Sequence, residues 1–298
     1  MAVPDFQSIM LPLLKLIGDK KEHSMRESIE KLGNEFDLTD EDRKALLPSG
    51  IQKVFDNRVN WSKTYLKKAG LLENKRRGYF NITDEGLKVL EQNPPKIDIN
   101  FLMQFPGYVE FRTGGKDKPV TTDDTPVTPE EILENSYQNL RNNIAQELLS
   151  SVKFCSPEFF EKLVVDLLLN MGYGGSRRDA GEAIGRSGDG GIDGIIKEDK
   201  LGLDTIYIQA KKWENTVSRA EIQKFAGALQ GQQAKKGIFI TTSSFSKGAR
   251  EYANIIDSKV VLIDGEILAQ LMIDYDIGVS KIKSYDLKKI DTDYFTEE

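Results

Sequence analysis

The sequence predicts a two-domain protein of mixed class, α+β and α/β: a helical N-terminal domain with one hairpin, then a mixed β-sheet flanked by helices. Three observations predict it. Through residues 5–93 apolar residues recur at helical spacing. Pro94-Pro95 and a stretch mixing Pro, Gly, Thr and Asp then interrupt that pattern. Beyond residue 152 strand-like runs alternate with amphipathic helices, as parallel strands joined by crossovers require. The length of 298 residues is roughly two domains at about 150 each. With 39% apolar and 30% charged residues, the chain can build packed cores, which excludes wholesale disorder.

Each element has a local reason. Phe6, Ile9, Met10, Leu13, Leu14 and Ile17 form the apolar face of a first helix, which Gly18 stops. Ser24 with Glu27 is a capping-box pattern for a second helix ending near Gly33. Thr39-Asp40-Glu41-Asp42 starts a short third helix, closed by Pro48-Ser49-Gly50. Along Val54–Ala69, Val54, Val59, Tyr65, Leu66 and Ala69 face inward, and Asn57, Arg58, Asn60, Lys63, Thr64 and Lys67 face out. Two short strands, Leu71–Glu73 and Gly78–Ile82, flank a basic turn, Asn74–Arg77, and a closing helix runs from Thr83 to about Gln92. That order is the layout of a winged helix-turn-helix domain over residues 1–93.

Residues 94–127 read as a linker, partly ordered through its aromatics Phe101, Phe105 and Phe111. Thr128-Pro-Glu-Glu opens a helix to about Ser151, with proline at its first position and acids behind it. This helix leads the second domain, residues 128–280; an acidic tail occupies 281–298. Within the second domain a helix spans Ser156–Met171, strands span Ile192–Lys197 and Thr205–Lys211, and helix–strand alternation follows to Tyr275.

The net charge of −6 excludes a uniformly basic nucleic-acid binder, but its distribution is uneven. Ile51–Phe80 holds eight basic residues against two acidic ones, and Gln209–Arg250 holds the same. Two basic islands on an acidic chain can each face a polyanion. Cys155 is the only cysteine, which excludes an internal disulfide or a multi-cysteine zinc site. His23 is the only histidine and reads as solvated surface, so a Ser-His-Asp system is excluded. No apolar run approaches the ~20 residues of a membrane span, and a secretory signal pattern is missing. A cytoplasmic protein without membrane contact is expected.

The chemistry concentrates in Gly188-Asp-Gly-Gly-Ile-Asp-Gly and Ile208-Gln-Ala-Lys-Lys-Trp. Strand alternation puts Gln209 and Lys211 on one face, and a hairpin can bring Asp193 to them. A carboxylate with an amide or a backbone carbonyl, such as that of Ala210, supplies hard oxygen ligands suited to Mg²⁺, or Mn²⁺, with retained waters. A neighbouring lysine can position or deprotonate the attacking water and neutralise a phosphorane-like transition state. That set points to metal-assisted phosphodiester hydrolysis. The bland alternative is a surface hairpin with a turn aspartate and a solvated lysine.

Asp193 with Gln209-Ala-Lys211, after the Gly-Asp-Gly-Gly-Ile lead-in, resembles the Mrr type of restriction endonuclease, a branch of the PD-(D/E)xK nuclease superfamily. The likeness continues through Phe159-Phe160-Glu161, Ile222–Leu229, Gly237–Thr242 and Ser246–Ala253. The stretch from Leu47 to Leu72 is similar to that family's winged-helix domain. The resemblance implies a restriction-endonuclease-like fold, with Asp193 as the central metal-binding aspartate and Lys211 as the catalytic lysine. Gln209 stands where the wider superfamily has glutamate, and Glu161 can restore the missing charge; Asp189 is a lesser candidate. It also implies a Mg²⁺-dependent, type IV-like endonuclease cutting double-stranded DNA that bears methylated bases, as a homodimer or higher assembly.

For DNA contact the residues themselves offer Asn57, Arg58, Asn60, Lys63 and Lys67 on the recognition helix and Lys75, Arg76 and Arg77 in the turn, with Arg177, Arg178 and Arg186 near the cut. A repair or recombination nuclease on branched or damaged DNA would use the same site. A winged-helix regulator with an inactive nuclease half is the remaining alternative, which the intact Asp193–Lys211 pair argues against.

Overall fold

The structure is a computed structural model that describes residues 3–76, 78–113, 126–174, 191–199, 201–288, 290 and 294; the side chains of Lys75 and Arg76 also lie outside the description. The chain divides into two compact units, residues 1–139 with 288–298, and residues 140–287.

In the first unit, α1 (Phe6–Leu16) starts where the Asp5 carboxylate accepts hydrogen bonds from the Gln7 and Ser8 amides. Ser24 caps α2 (Met25–Glu35), and a reciprocal capping box between Thr39 and Asp42 opens α3 (Asp40–Lys44). The long helix α4 (Val54–Lys68) packs on α1, where Phe6 meets Tyr65 edge-on at 5.3 Å. Strands β1 (His23–Ser24), β2 (Leu72–Arg76) and β3 (Tyr79–Ile82) form an antiparallel sheet in the order β1-β3-β2, and α5 (Asp84–Glu91) follows. Helices with a hairpin wing are the expected winged helix-turn-helix architecture.

Three expectations need correction here. The strand before the wing continues to Arg76, past the residues read as a turn. His23 is buried and not solvated: its Nε2 lies 2.8 Å from Asp19 Oδ1, beside the β1–β3 pairing that two residues are too short to announce. The stretch read as a linker contains α6 (Ile99–Leu102) and α7 (Pro106–Thr113). Ile97, Ile99, Leu102 and Tyr108 from this stretch are buried in the first unit's core. A four-residue helix is too brief to show a period, which is why composition alone suggested a linker.

Helix α8 (Pro129–Phe154) contains the division between units. The second unit continues with α9 (Pro157–Asn170), capped by Ser156 and carrying proline at its first position. Then come β4 (Gly194–Lys197), β5 (Thr205–Lys211), α10 (Arg219–Gly231), β6 (Lys236–Thr241), α11 (Lys247–Ile255), β7 (Lys259–Ile263) and α12 (Gly265–Asp274). The sheet order is β4-β5-β6-β7, with β4 antiparallel to β5 and the other pairs parallel. Alternation along β5 and β6 divides the core in two. Ile206, Ile208, Ile238 and Ile240 pack with Phe160, Val164 and Leu167 of α9, while Tyr207 and Phe239 pack with Ile222 and Phe225 of α10. Among the described residues no helix is long and apolar enough to cross a membrane.

Candidate active site and nucleic-acid interface

Asp193 lies just ahead of β4, and its backbone amide donates to Ile208 O at 2.9 Å. Its side chain then takes over the ladder. Asp193 Oδ2 accepts from the Ala210 amide at 2.8 Å, which holds the carboxylate against β5 between Gln209 and Lys211. On α9, Glu161 and Val165 stand one turn apart. Together with Asp193, Gly194, Ile208 and Ala210 they line a narrow cleft of about 10 Å³, barely the room one water needs. Burial raises the pKa of Glu161 above its ordinary value, and the nearby charge of Asp193 adds to the effect.

Gln209 is buried and Lys211 half-buried. Gly191 has φ +118°, a backbone conformation that favours glycine, and a Cβ there would lie 3.2 Å from Gln209 Nε2 and press on that amide. Lys211 Nζ lies 3.3 Å from Glu221 Oε2 of α10 and 4.4 Å from the Trp213 ring centroid. Among the described residues Lys211 pairs with Glu221 and not with Asp193. The structure therefore brings Asp193, Glu161 and Ala210 to one cleft, and it turns the Lys211 ammonium towards α10. Glu221 was not singled out in the sequence, because an acid in the first turn of a helix looks like ordinary N-terminal charge preference. The same glutamate also binds Lys224 at 2.7 Å, and that contact is the main reason its pKa is lowered.

Among the described residues no three His, Cys, Asp or Glu side chains gather as a ready metal cage. Two carboxylates on one cleft, a backbone carbonyl and a primary amide are nevertheless hard oxygen donors that could hold a divalent ion keeping several waters. The repulsion from Asp193, which adds to the effect of burial on Glu161, is what such a cation would relieve.

Helix α4, expected from the sequence to be the recognition helix, differs from that expectation. Lys53, Asn60 and Lys67 are exposed at seven-residue intervals on one stripe of α4. Asn57 belongs to that stripe by spacing, yet it is 1% exposed. The start of α8 covers it: Asn57 Nδ2 donates to Glu130, and Thr128 Oγ1 donates to Asn57 Oδ1 at 2.6 Å. Arg58 is likewise engaged. Its guanidinium donates to Glu131 Oε1 at 3.0 and 2.7 Å, and to the carbonyls of Val3 and Pro4 at 2.7 and 3.2 Å. Glu131 in turn caps α8 by accepting from the Thr128 amide at 2.8 Å. Asn57 and Arg58 are thus corrected from outward DNA contacts to inward ties, because acids some 73 positions along the chain satisfy their donors.

Asn60 and Lys67 remain on the open stripe, and Lys63 is half-buried with its ammonium 4.6 Å over the Phe80 ring. Burial lowers the pKa of Lys63, and Lys67 adds to it. Lys75 and Arg76 fall in β2, but their side chains lie outside the description, as do Arg77, Arg177, Arg178, Arg186 and Asp189 altogether.

Comparison with known proteins matches both halves of the chain. Residues 152–272 match a family described as restriction endonuclease, and residues 6–92 match the Mrr N-terminal domain. The chain is 37% identical over 309 residues to the "Type IV methyl-directed restriction enzyme EcoKMrr" of Escherichia coli (strain K12), covering 99% of this chain and 100% of that one. The chain belongs to the Mrr-type restriction endonuclease family. It is therefore a nuclease that hydrolyses DNA phosphodiester bonds, and DNA is its partner. Restriction endonucleases generally depend on divalent metal. A solved structure, MspJI restriction endonuclease in complex with a 27-mer oligonucleotide, is similar at 21% identity and a TM-score of 0.28, over 53% of this chain and 34% of that one. The present chain thus spans about a third of that protein.

Proposed function

We propose that this Mrr-type enzyme is a Mg²⁺-dependent endonuclease that cuts double-stranded DNA carrying methylated bases. In this reading it acts in the cytoplasm as a homodimer or higher assembly, because cutting both strands needs two active sites. The carrying observation is the Asp193 carboxylate, tied to the Ala210 amide at 2.8 Å and facing Glu161 across a common cleft. Asp193, Glu161, Gln209 and the Ala210 carbonyl would hold the ion, which when bound polarises the scissile phosphate and makes water a better nucleophile. Lys211 orients that water and offsets charge building on the phosphate. Asn60, Lys63 and Lys67 contact DNA from α4, with Lys75, Arg76 and Arg77 of the wing and Arg177 and Arg178 beside the cut. Preference for methylated DNA is supported by similarity to the methyl-directed E. coli enzyme.

The test incubates methylated and unmethylated plasmid with the enzyme, with and without Mg²⁺, and resolves the products on a gel. Cleavage confined to methylated plasmid with Mg²⁺ is expected, and Asp193→Ala should abolish it while duplex binding persists. Equal cutting of both plasmids, or cutting in excess EDTA, would refute the proposal.

A further inference from the structure

The covering of Asn57 leaves a question about where α4 reads bases. In helix-turn-helix proteins the N-terminal residues of the recognition helix meet base edges in the major groove. At the start of α4 one flank is closed, since Thr128, Glu130 and Glu131 occupy Asn57 and Arg58. The opposite flank opens into a cleft of about 500 Å³ between α2, α3 and the first turn of α4. Its wall includes Met25 and Ile29, one turn apart on α2, and Phe55, which is 2% exposed. Arg26 and Lys53 bring positive charge to it, and Glu30 and Asp56 bring carboxylates that form no ion pair among the described residues.

We propose that this cleft reads the methylated base: a base with an exocyclic amine whose methyl group projects into the major groove. The inference rests on the readings above that α4 contacts DNA and that methylated DNA is the substrate. Apolar side chains on a DNA-facing surface gain nothing from phosphate, whereas a methyl group offers them the contact that thymine's methyl offers elsewhere. Carboxylates accept from exocyclic amines of cytosine or adenine, and the cations suit the flanking phosphates. The volume exceeds what one base edge fills, so water or a partly extruded base fits as well. Met25 and Ile29 are therefore specificity-determining residues, and Glu30 and Asp56 the polar readers.

The experiment measures binding by fluorescence anisotropy without divalent metal, so that nothing is cut. Wild-type protein, Met25→Gln and Glu30→Gln are titrated with the same pool of short duplexes, prepared with and without methyltransferase treatment. Wild type should favour methylated duplex about tenfold. Met25→Gln should bring the ratio to about one while unmethylated binding stays within about twofold. Glu30 is exposed, so Glu30→Gln leaves the fold intact and should lower the ratio about threefold. Loss of preference in either variant supports the cleft. Wild-type preference kept by both variants overturns it and leaves methyl-directed cutting standing. Equal wild-type binding with methylation-dependent cleavage also overturns the cleft alone, whereas equal binding with equal cleavage removes the substrate reading too.

Discussion

Two ion pairs, one in each unit, join a cation of a basic island to a glutamate on a helix, and they differ in what each cation has left over. Arg58 and Glu131 have side chains only 16% and 7% exposed, and the guanidinium commits four of its five N–H donors to one carboxylate and two backbone carbonyls. Lys211 and Glu221 are 25% and 15% exposed. That ammonium rests against one carboxylate and an indole face, with a hydrogen still to give. Both look alike as sequence, a basic residue in a basic stretch. The first is a buried tie that cannot also hold DNA, and the second is a held but available group beside a carboxylate cleft.

The contrast predicts opposite phenotypes. Lys211→Ala should lower the cleavage rate about 10³-fold in a plasmid nicking assay. Its unfolding midpoint should barely move, since Glu221 keeps Lys224 at 2.7 Å. A variant that cuts normally would show that Lys211 takes no part in the reaction. Arg58→Ala should instead cost about 3 kcal/mol in urea unfolding, because Glu131 is left buried without its partner. An unchanged urea midpoint with weakened DNA binding would reverse the correction and return Arg58 to the DNA-contacting surface.

A smaller effect separates the open stripe from the covered one. Lys67→Ala should weaken duplex binding severalfold and make the slope of log affinity against log salt shallower by about one, with no loss of stability. An unaltered slope would remove Lys67 from the phosphate contacts. The smallest effect concerns Glu161. Its pKa is raised, so the folded state holds the proton more tightly than the unfolded state, and ionising it costs stability. Glu161→Gln should therefore raise the metal-free melting temperature by about one degree at neutral pH. That gain should vanish as the pH falls below the ordinary value of 4.5, where both states carry the proton. A gain that persists under acid would mean that the carboxylate's charge is not the cause.

Much of this was legible in the order of residues. The Gly-rich approach to Asp193, the Gln209-Ala-Lys211 run and the helical spacing of Phe6–Ile17 are local patterns, and local patterns decide where strands and helices begin. Glu161 was legible only through resemblance, since a helix carboxylate has no signature of its own. In the 97–113 segment the aromatics marked partial order, but the helices were not legible, because α6 and α7 are too short to show periodicity although their apolar residues complete a core. The stripe of α4 was legible as a stripe, but two of its members, Asn57 and Arg58, turn out to be inward ties.

The sequence by itself determined the local elements and the chemical types at the site: acid, amide and lysine at strand spacing, and cations along a helix. Tertiary structure alone decided which of those groups are spoken for. Asn57 and Arg58 are engaged by Thr128, Glu130 and Glu131, and Lys211 in part by Glu221, partners set by tertiary packing and not by proximity along the chain. A hydrogen bond or ion pair forms wherever a buried donor can be met, because leaving it unmet costs more than the distance in sequence can prevent. Which donor is met is therefore a property of the packed chain.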